Sequence, residues 1–427
     1  MKIPNTKLGN IIFLLCASLP AAVQATNGLY LNGYGAKSAA LGGVGIAKNV
    51  DAITVGNSNP AGAVFVENRF DGGLLILNPQ RRAVCCNSSQ TGGEVSDKAW
   101  FFIPNMGVVY KLDEQLSFSG SFVGKGGGRT EYLNNFFDSG DDGVLGVELA
   151  IAEMTANIAY KIDNSQSVGL GAVIAMQRFR AKGLGPFKNF SINRDAVTNN
   201  GFDWSYGAGV RLGWQGKFMD DQLSFGAAYT SKRYMTEFEE YEGLFAGKGD
   251  FDLPADIGLG VSFKANKEVT VSFDWQRVFY SDVAAVGNAA LPISAAENSP
   301  RNLGQPNGPG FGWMDQDIYK LGFEYLYSPQ WTLLAGLNYG KTPINDADGG
   351  GELEFNVLAP ATTEKHISFG ATYSITPEME LTGTVWHAFL NTQTQFIPPN
   401  TGLPFEDETI LIEMRQYGFE VGFGYRF

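Results

Sequence analysis

The sequence predicts an all-β fold: a 14-stranded antiparallel transmembrane β-barrel with an N-terminal hatch in its lumen. Three observations carry that prediction. Apolar residues alternate with small or polar ones in segment after segment, and a period of two is the signature of a strand. The connections between those segments are alternately tight and long. The chain opens on a secretory leader, yet no later stretch holds the roughly 18 consecutive apolar residues of a spanning helix.

Residues 1–25 read as the leader. Lys2 and Lys7 supply positive charge, Ile11 to Leu19 a short apolar run, and Val23-Gln24-Ala25 a small-residue cleavage site. A lipoprotein leader ending at Cys16 fits poorly, because the preceding Leu15 is bulky. Residues 26–65 do not alternate. They are rich in Gly, Ala and Asn, with helical potential around Ser38 to Lys48 and a turn at Asn59-Pro60, and they read as a compact hatch. Asn59, Pro60 and Ala61 are its expected anchor, since proline fixes chain direction and an Asn side chain satisfies nearby backbone groups.

Residues 66–427 form the barrel. Its strands are expected at 68–79, 100–112, 115–126, 145–161, 166–182, 203–217, 221–235, 252–265, 268–282, 316–328, 330–342, 363–375, 378–392 and 410–427. Trp331, Leu333, Ala335, Leu337 and Tyr339 show the pattern, as do Tyr417, Phe419, Val421, Phe423, Tyr425 and Phe427. Alternation breaks in the fourth strand near Glu148 to Met154, which predicts a bulge there. Tight turns fall at Asp113-Glu114, Asp163-Asn164, Met219-Asp220, Ala265-Asn266, Ser328-Pro329 and Thr376-Pro377, and long loops fill the other end. Loops sorted by end, apolar outward faces and aromatic strand ends describe an outer-membrane barrel of a Gram-negative bacterium. An even strand count places both termini on the short-turn, periplasmic side.

Composition narrows the function. Charged residues make up 18%, aromatics 13%, and 54 glycines are present, which argues against disorder. A net charge of −13 argues against a nucleic-acid partner. Cys85 and Cys86 are adjacent, offer no disulfide framework, and read as an incidental loop pair. No metal or other cofactor is expected. His366 and His387 are the only imidazoles; His387 shares the outward parity of Leu381, Val385 and Phe389, but no Ser and acid form a hydrolase motif beside it. A general diffusion porin is the other alternative, and a plugged lumen argues against it.

The hatch-like run, with Gly42-Gly43, Asp51 and then Asn59-Pro60-Ala61, resembles the N-terminal region of FadL/TodX-type outer-membrane transporters. Pro104-Asn105, Leu253-Pro254 and the stretch from Tyr319 to Pro343 resemble the same family. The resemblance spans nearly the whole chain after the leader. It implies uptake of long-chain fatty acids or of aromatic hydrocarbons, and a kink in the third strand that opens the wall towards the membrane. Gly124, Gly126, Gly127 and Gly128 occupy that region here.

An apolar substrate needs an apolar pocket, worth about 0.8 kcal/mol per buried methylene. Tyr132, Leu133, Phe136 and Phe137 in one long loop, with Phe238, Leu244 and Phe245 in another, are candidates for capturing it; packing of loop against loop is the competing reading. A fatty-acid carboxylate would also need a cation, for which Arg178, Arg180 and Lys320 are the candidates, set against ordinary lumenal ion pairs or lipid-headgroup contacts. The expected partners are therefore hydrophobic small molecules, outer-membrane lipids including lipopolysaccharide, and the barrel assembly machinery, for which Phe427 supplies a terminal aromatic.

Overall fold

The computed structural model describes residues 27–85, 94–97, 100–137, 143–347, 351–399 and 407–427. The expected leader, residues 1–25, and Cys86 lie outside them. Fourteen strands form the wall: β1 Arg69–Val84, β2 Phe101–Lys111, β3 Leu116–Arg129, β4 Gly146–Lys161, β5 Gln166–Lys182, β6 Asp203–Phe218, β7 Leu223–Thr230, β8 Asp256–Lys264, β9 Val269–Val278, β10 Gln316–Leu326, β11 Trp331–Gly340, β12 Lys365–Ser374, β13 Met379–Ile397 and β14 Glu408–Arg426. Each pairs antiparallel with its sequence neighbours. The sheet closes where β14 meets β1, with Tyr425 opposite Phe70 and Phe419 opposite Ile76. Between β2 and β3 the pairing covers only Asn105–Lys111 with Ser117–Val123, and beyond Val123 the β3 edge bonds the segment around Leu29 instead of β2.

The tight turns share one device. Asp113, Asp163 and Asn266 each accept two backbone N–H groups through Oδ1, and Ser328 and Thr376 do so through their hydroxyls. The sixth turn differs: Met219, Asp220 and Asp221 take φ of 56°, 54° and 64°.

Side chains sort by parity as lipid and lumen require. On β14, Tyr417, Phe419, Val421, Phe423 and Tyr425 face outwards, while Glu420 is 1% exposed and donated to by the Asn105 amide at 2.7 Å.

Three expectations need correction. The bulge lies on β3, not β4: register slips between Gly124 and Gly126, leaving Lys125 as the extra residue opposite an unbroken β4. Strand seven stops at Thr230. The chain then turns so that Arg233 bridges Leu253, and only Tyr234–Met235 returns to pair with β6. The seam strands are longer than expected: β1 reaches Val84 and β13 reaches Ile397, because polar residues on both faces, such as Thr392 and Gln393, hide alternation without breaking backbone pairing.

The hatch holds two short helices, α1 Ala36–Ala40 and α2 Ala52–Asn57, and a 3₁₀ turn over Pro60–Phe65. Polar side chains from all round the wall hold its backbone. Asp274 accepts from the Gly45 and Ile46 N–H groups at 2.7 and 3.0 Å, Asp71 accepts from Ala52 N–H at 2.8 Å, and Thr384 donates to Ala36 O at 2.7 Å. Ion pairs join Lys37 to Glu380 and Lys48 to Glu324. Inward glycines admit this close approach: a Cβ on Gly336 would lie 2.0 Å from Gly42 N, and one on Gly107 would lie 2.5 Å from Ile53 N.

Candidate functional site

The site forms where the start of the described chain meets the bulge in β3. Gly127 N–H donates to Leu29 O at 2.9 Å, and Leu31 N–H to Lys125 O at 3.3 Å. The backbone at Leu29 comes so close that a Cβ on Gly126 would sit 1.8 Å from Leu29 O, and Gly127 holds φ 131°, which suits glycine alone. From the other side Tyr280 clamps the same segment: its hydroxyl accepts from Leu29 N–H at 2.9 Å and donates to Asn27 O at 2.7 Å. Burial raises the Tyr280 phenol well above its ordinary value, so it remains a donor. Residues 27–30 thus form a floor across the barrel.

Above this floor lies an apolar cavity of two lobes. The lower lobe, about 530 Å³, is lined by Leu29, Gly127, Phe179, Phe245, Phe251 and Trp313 among others. The upper lobe, about 480 Å³, shares Val147, Phe179, Phe245 and Phe311 with it and extends under Phe187, Leu303 and Phe355. The long loops following β5, β7, β9 and β11 roof it. Their rings lock at short range: Phe179 and Phe245 centroids are 4.7 Å apart, Phe245 and Phe251 5.0 Å, Tyr280 and Trp313 5.3 Å. Every lining residue of both lobes is apolar or glycine.

Below the floor the chemistry reverses. Glu153 lies 3.1 Å from Lys125, 3.1 Å from Arg233 and 3.5 Å from Arg211, all buried. Arg233 also donates to the Tyr30 hydroxyl at 2.5 Å, and the Lys125 ammonium sits over the Tyr34 ring at 4.6 Å. A polar chamber of about 460 Å³, lined by Tyr34, Lys125, Asp256, Gln276 and Lys320, continues along the hatch.

The structure separates the residues singled out in the sequence. Phe245 and Leu244 line the cavity. Tyr132, Phe136, Phe137 and Phe238 are buried between loops, where Tyr132 donates to Val357 O at 2.8 Å; they form a loop core rather than an exposed capture surface. Leu133 alone of that set is exposed. Arg178 and Arg180 point out of the barrel and bond Glu148 at 2.7 and 2.8 Å, so neither reaches a lumenal carboxylate. The residue between them, Phe179, faces the cavity. Lys320 is lumenal but donates to Gln276 at 2.9 Å in the polar chamber, beneath the floor. Asn59 donates to Ile46 O at 2.7 Å and Trp214 O at 3.0 Å while accepting from Ala61 N–H at 3.1 Å, which ties hatch to wall and places Pro60 at the head of the 3₁₀ turn. Cys85 is disulfide-bonded, not an incidental thiol.

Sequence reading missed Lys125, Glu153, Arg211, Arg233 and the cavity rings other than Phe245, namely Phe179, Phe187, Phe251, Phe311, Trp313 and Phe355. A signal for Glu153 was present: alternation breaks near Glu148 to Met154 because the inward face changes there from apolar Val147, Leu149 and Ile151 to polar Glu153 and Thr155, while the outward face changes from Glu148 to Met154 and Ile158.

A closed barrel, a hatch bonded to its wall and a dry cavity above that hatch define an outer-membrane transport channel. Residues 14–406 match the outer membrane protein transport protein family, OMPP1/FadL/TodX, and the chain belongs to it. The chain is therefore a transport protein, not a hydrolase. It is 23% identical over 371 residues to the long-chain fatty acid transport protein of Escherichia coli, covering 78% of this chain and 79% of that one. The fold is similar to that of a Pseudomonas aeruginosa FadL homologue, at TM-score 0.70 and 14% identity over 94% of this chain and 100% of the other. It is also similar to the Pseudomonas putida toluene transporter TodX, at TM-score 0.66 and 16% identity over 93% and 99%.

Proposed function

We propose that this protein takes up small hydrophobic molecules across the outer membrane, and that it holds a long-chain fatty acid by its tail alone. The single observation that carries this reading is the wholly apolar lining of both lobes above Leu29. A tail gains about 0.8 kcal/mol per methylene buried there. A carboxylate placed in either lobe would lack a cation, and burying it unpaired is costly. The acid end therefore stays towards the loops while the tail reaches the floor. Release begins when Asn27 and Leu29 leave Gly127 and Tyr280, since a few hydrogen bonds hold that segment. The exit then runs past the glycines of β3.

A second reading, uptake of a neutral aromatic hydrocarbon, is favoured by the ring-rich lining of Phe179, Phe245, Phe251, Phe311 and Trp313. Binding of hexadecanoate, hexadecanol and toluene to the purified barrel separates the two. Tail recognition predicts that acid and alcohol bind within a few-fold of each other. Binding of the acid but not the alcohol would show a buried carboxylate site and overturn the proposal; binding of toluene alone would establish the second reading.

A further inference from the structure

Outward-facing residues on β5 run Val168, Leu170, Ala172, Ile174 and Met176, and then Arg178, Arg180 and Lys182. On the neighbouring β4 the same face runs from Glu148 near the loops down through Met154 and Ile158. The apolar band meets lipid, and the charged band begins directly beyond it on the extracellular side. That is the level of the headgroups of the outer leaflet.

The charged band is organised around one acid. Glu148 receives Arg178 at 2.7 Å, Arg180 at 2.8 Å and Arg129, from β3, at 3.3 Å. Arg129 also meets Glu131 at 3.1 Å. Arg178, Arg180 and Lys182 of β5 thus stand beside Glu148 of β4, three cations to one carboxylate on the facing positions of these two strands. Phe202, itself exposed, carries the guanidinium groups of Arg178 and Arg180 on its ring at 4.1 and 4.3 Å, which fixes their planes without neutralising them. Between β3, β4 and β5 the patch encloses a depression of about 190 Å³ walled by Arg129, Glu131, Glu148, Arg180 and Lys182.

We infer that this patch is a seat for a phosphate group of an outer-leaflet lipid of the lipid A type. Guanidinium groups held in a plane bond phosphate oxygens in pairs, and Lys182 adds a mobile point charge beside them. Continuity with the lipid-facing band selects a phosphate carried on an acyl-chained molecule. Such a molecule lays its chains along Met176, Ile174 and Met154 while its phosphate sits in the depression. The site is separate from the cavity: its cations lie on the other side of the wall from Phe179.

The test is native mass spectrometry of the purified barrel with bisphosphorylated lipid A and with the same lipid after removal of its phosphates. The intact lipid is expected to survive as a one-to-one adduct and the dephosphorylated one to be lost. The variant Arg178→Gln/Arg180→Gln/Lys182→Gln, checked for heat-modifiable folding, is expected to bind at least about tenfold more weakly. Equal binding of the two lipids to the natural protein overturns the inference whatever the variant does, as does a folded variant that retains lipid A undiminished. Displacement by millimolar inorganic phosphate would mark a free-anion site and overturn the lipid assignment. If the triple variant does not fold, the comparison of the two lipids on the natural protein decides alone.

Discussion

Lys125 and Glu153 meet at 3.1 Å inside the lumen, on the neighbouring strands β3 and β4, where the wall carries one residue too many. The bulge turns the Lys125 backbone so that its carbonyl accepts from Leu31 N–H and from the Tyr34 hydroxyl. One ion pair therefore anchors both the kink in the wall and the first residues of the hatch.

Glu153→Gln should unsettle both. It leaves Lys125, Arg211 and Arg233 without their shared carboxylate, and breaking a buried pair costs about 3–5 kcal/mol. The folded barrel should lose its heat-modifiable form at a lower temperature than the natural protein. An unchanged transition would show that water or other groups compensate the three cations.

Gly126→Val should dislodge the floor. Its Cβ would fall 1.8 Å from Leu29 O, with backbone rather than a flexible side chain in the way. Residues 27–30 must then leave the wall, and single-channel conductance in planar bilayers should rise above that of the natural protein. Unaltered conductance with the strand correctly folded would place the permeation barrier elsewhere in the hatch.

Asn59→Ala removes a side chain that makes three hydrogen bonds, to Ile46, Trp214 and Ala61, inside the barrel. Each buried backbone group left unpaired costs about 1–3 kcal/mol. Brief, frequent channel openings and faster proteolysis of the hatch are the expected signs. Deletion of residues 27–60 should convert these to a steady high conductance.

Phe245 touches both lobes of the cavity and should control affinity. Phe245→Ala removes ring contacts worth about 1–2 kcal/mol to a hydrocarbon ligand, roughly a tenfold weakening. Phe245→Lys places a charge in the dry lining and should abolish hexadecanol binding while the barrel still folds. Equal hexadecanol binding by the lysine variant would mean the ligand sits outside these lobes.

Phe423 faces lipid on the closing strand, opposite Gly72 of β1. Phe423→Arg should reduce the yield of folded barrel on a cold gel, by a mid-membrane cost of about 2–4 kcal/mol, whereas Phe423→Leu should not. The neighbouring Gly422 is unsuitable as a neutral control, because a Cβ there would stand 2.9 Å from Ala36 Cβ in the hatch.

The barrel was legible in the sequence because lipid and lumen impose a period of two on every strand. A single strand such as Tyr417 to Phe427 shows the period but not whether its apolar face meets lipid or a core; the other strands and the loops decide that. Alternating tight and long connections gave the strand count and order in the same way, since each tight turn joins two neighbouring antiparallel strands. Asn59-Pro60 stood out because proline and a capping amide act locally.

The site was not legible in that way. Arg178 and Arg180 are cations near the outer end of their strand, yet one step of parity puts them outside the wall and puts Phe179 inside. The alternation from Val168 to Met176 continues through Arg178 and Arg180 and sets their direction; what no local pattern states is that Phe179 meets Phe245 inside. Lys125, Glu153, Arg211 and Arg233 lie far apart in the chain and meet only because the barrel closes round them. The rings of the long loops looked like exposed bait; folding buries them against one another, since loops that roof a dry cavity have apolar surface to cover. The wall and the hatch were already written in the residue order, because each follows from contact with a solvent that acts on every residue alike. Which residues floor, line and lock the cavity was set by folding, because those roles come from pairings between strands and loops distant in the chain.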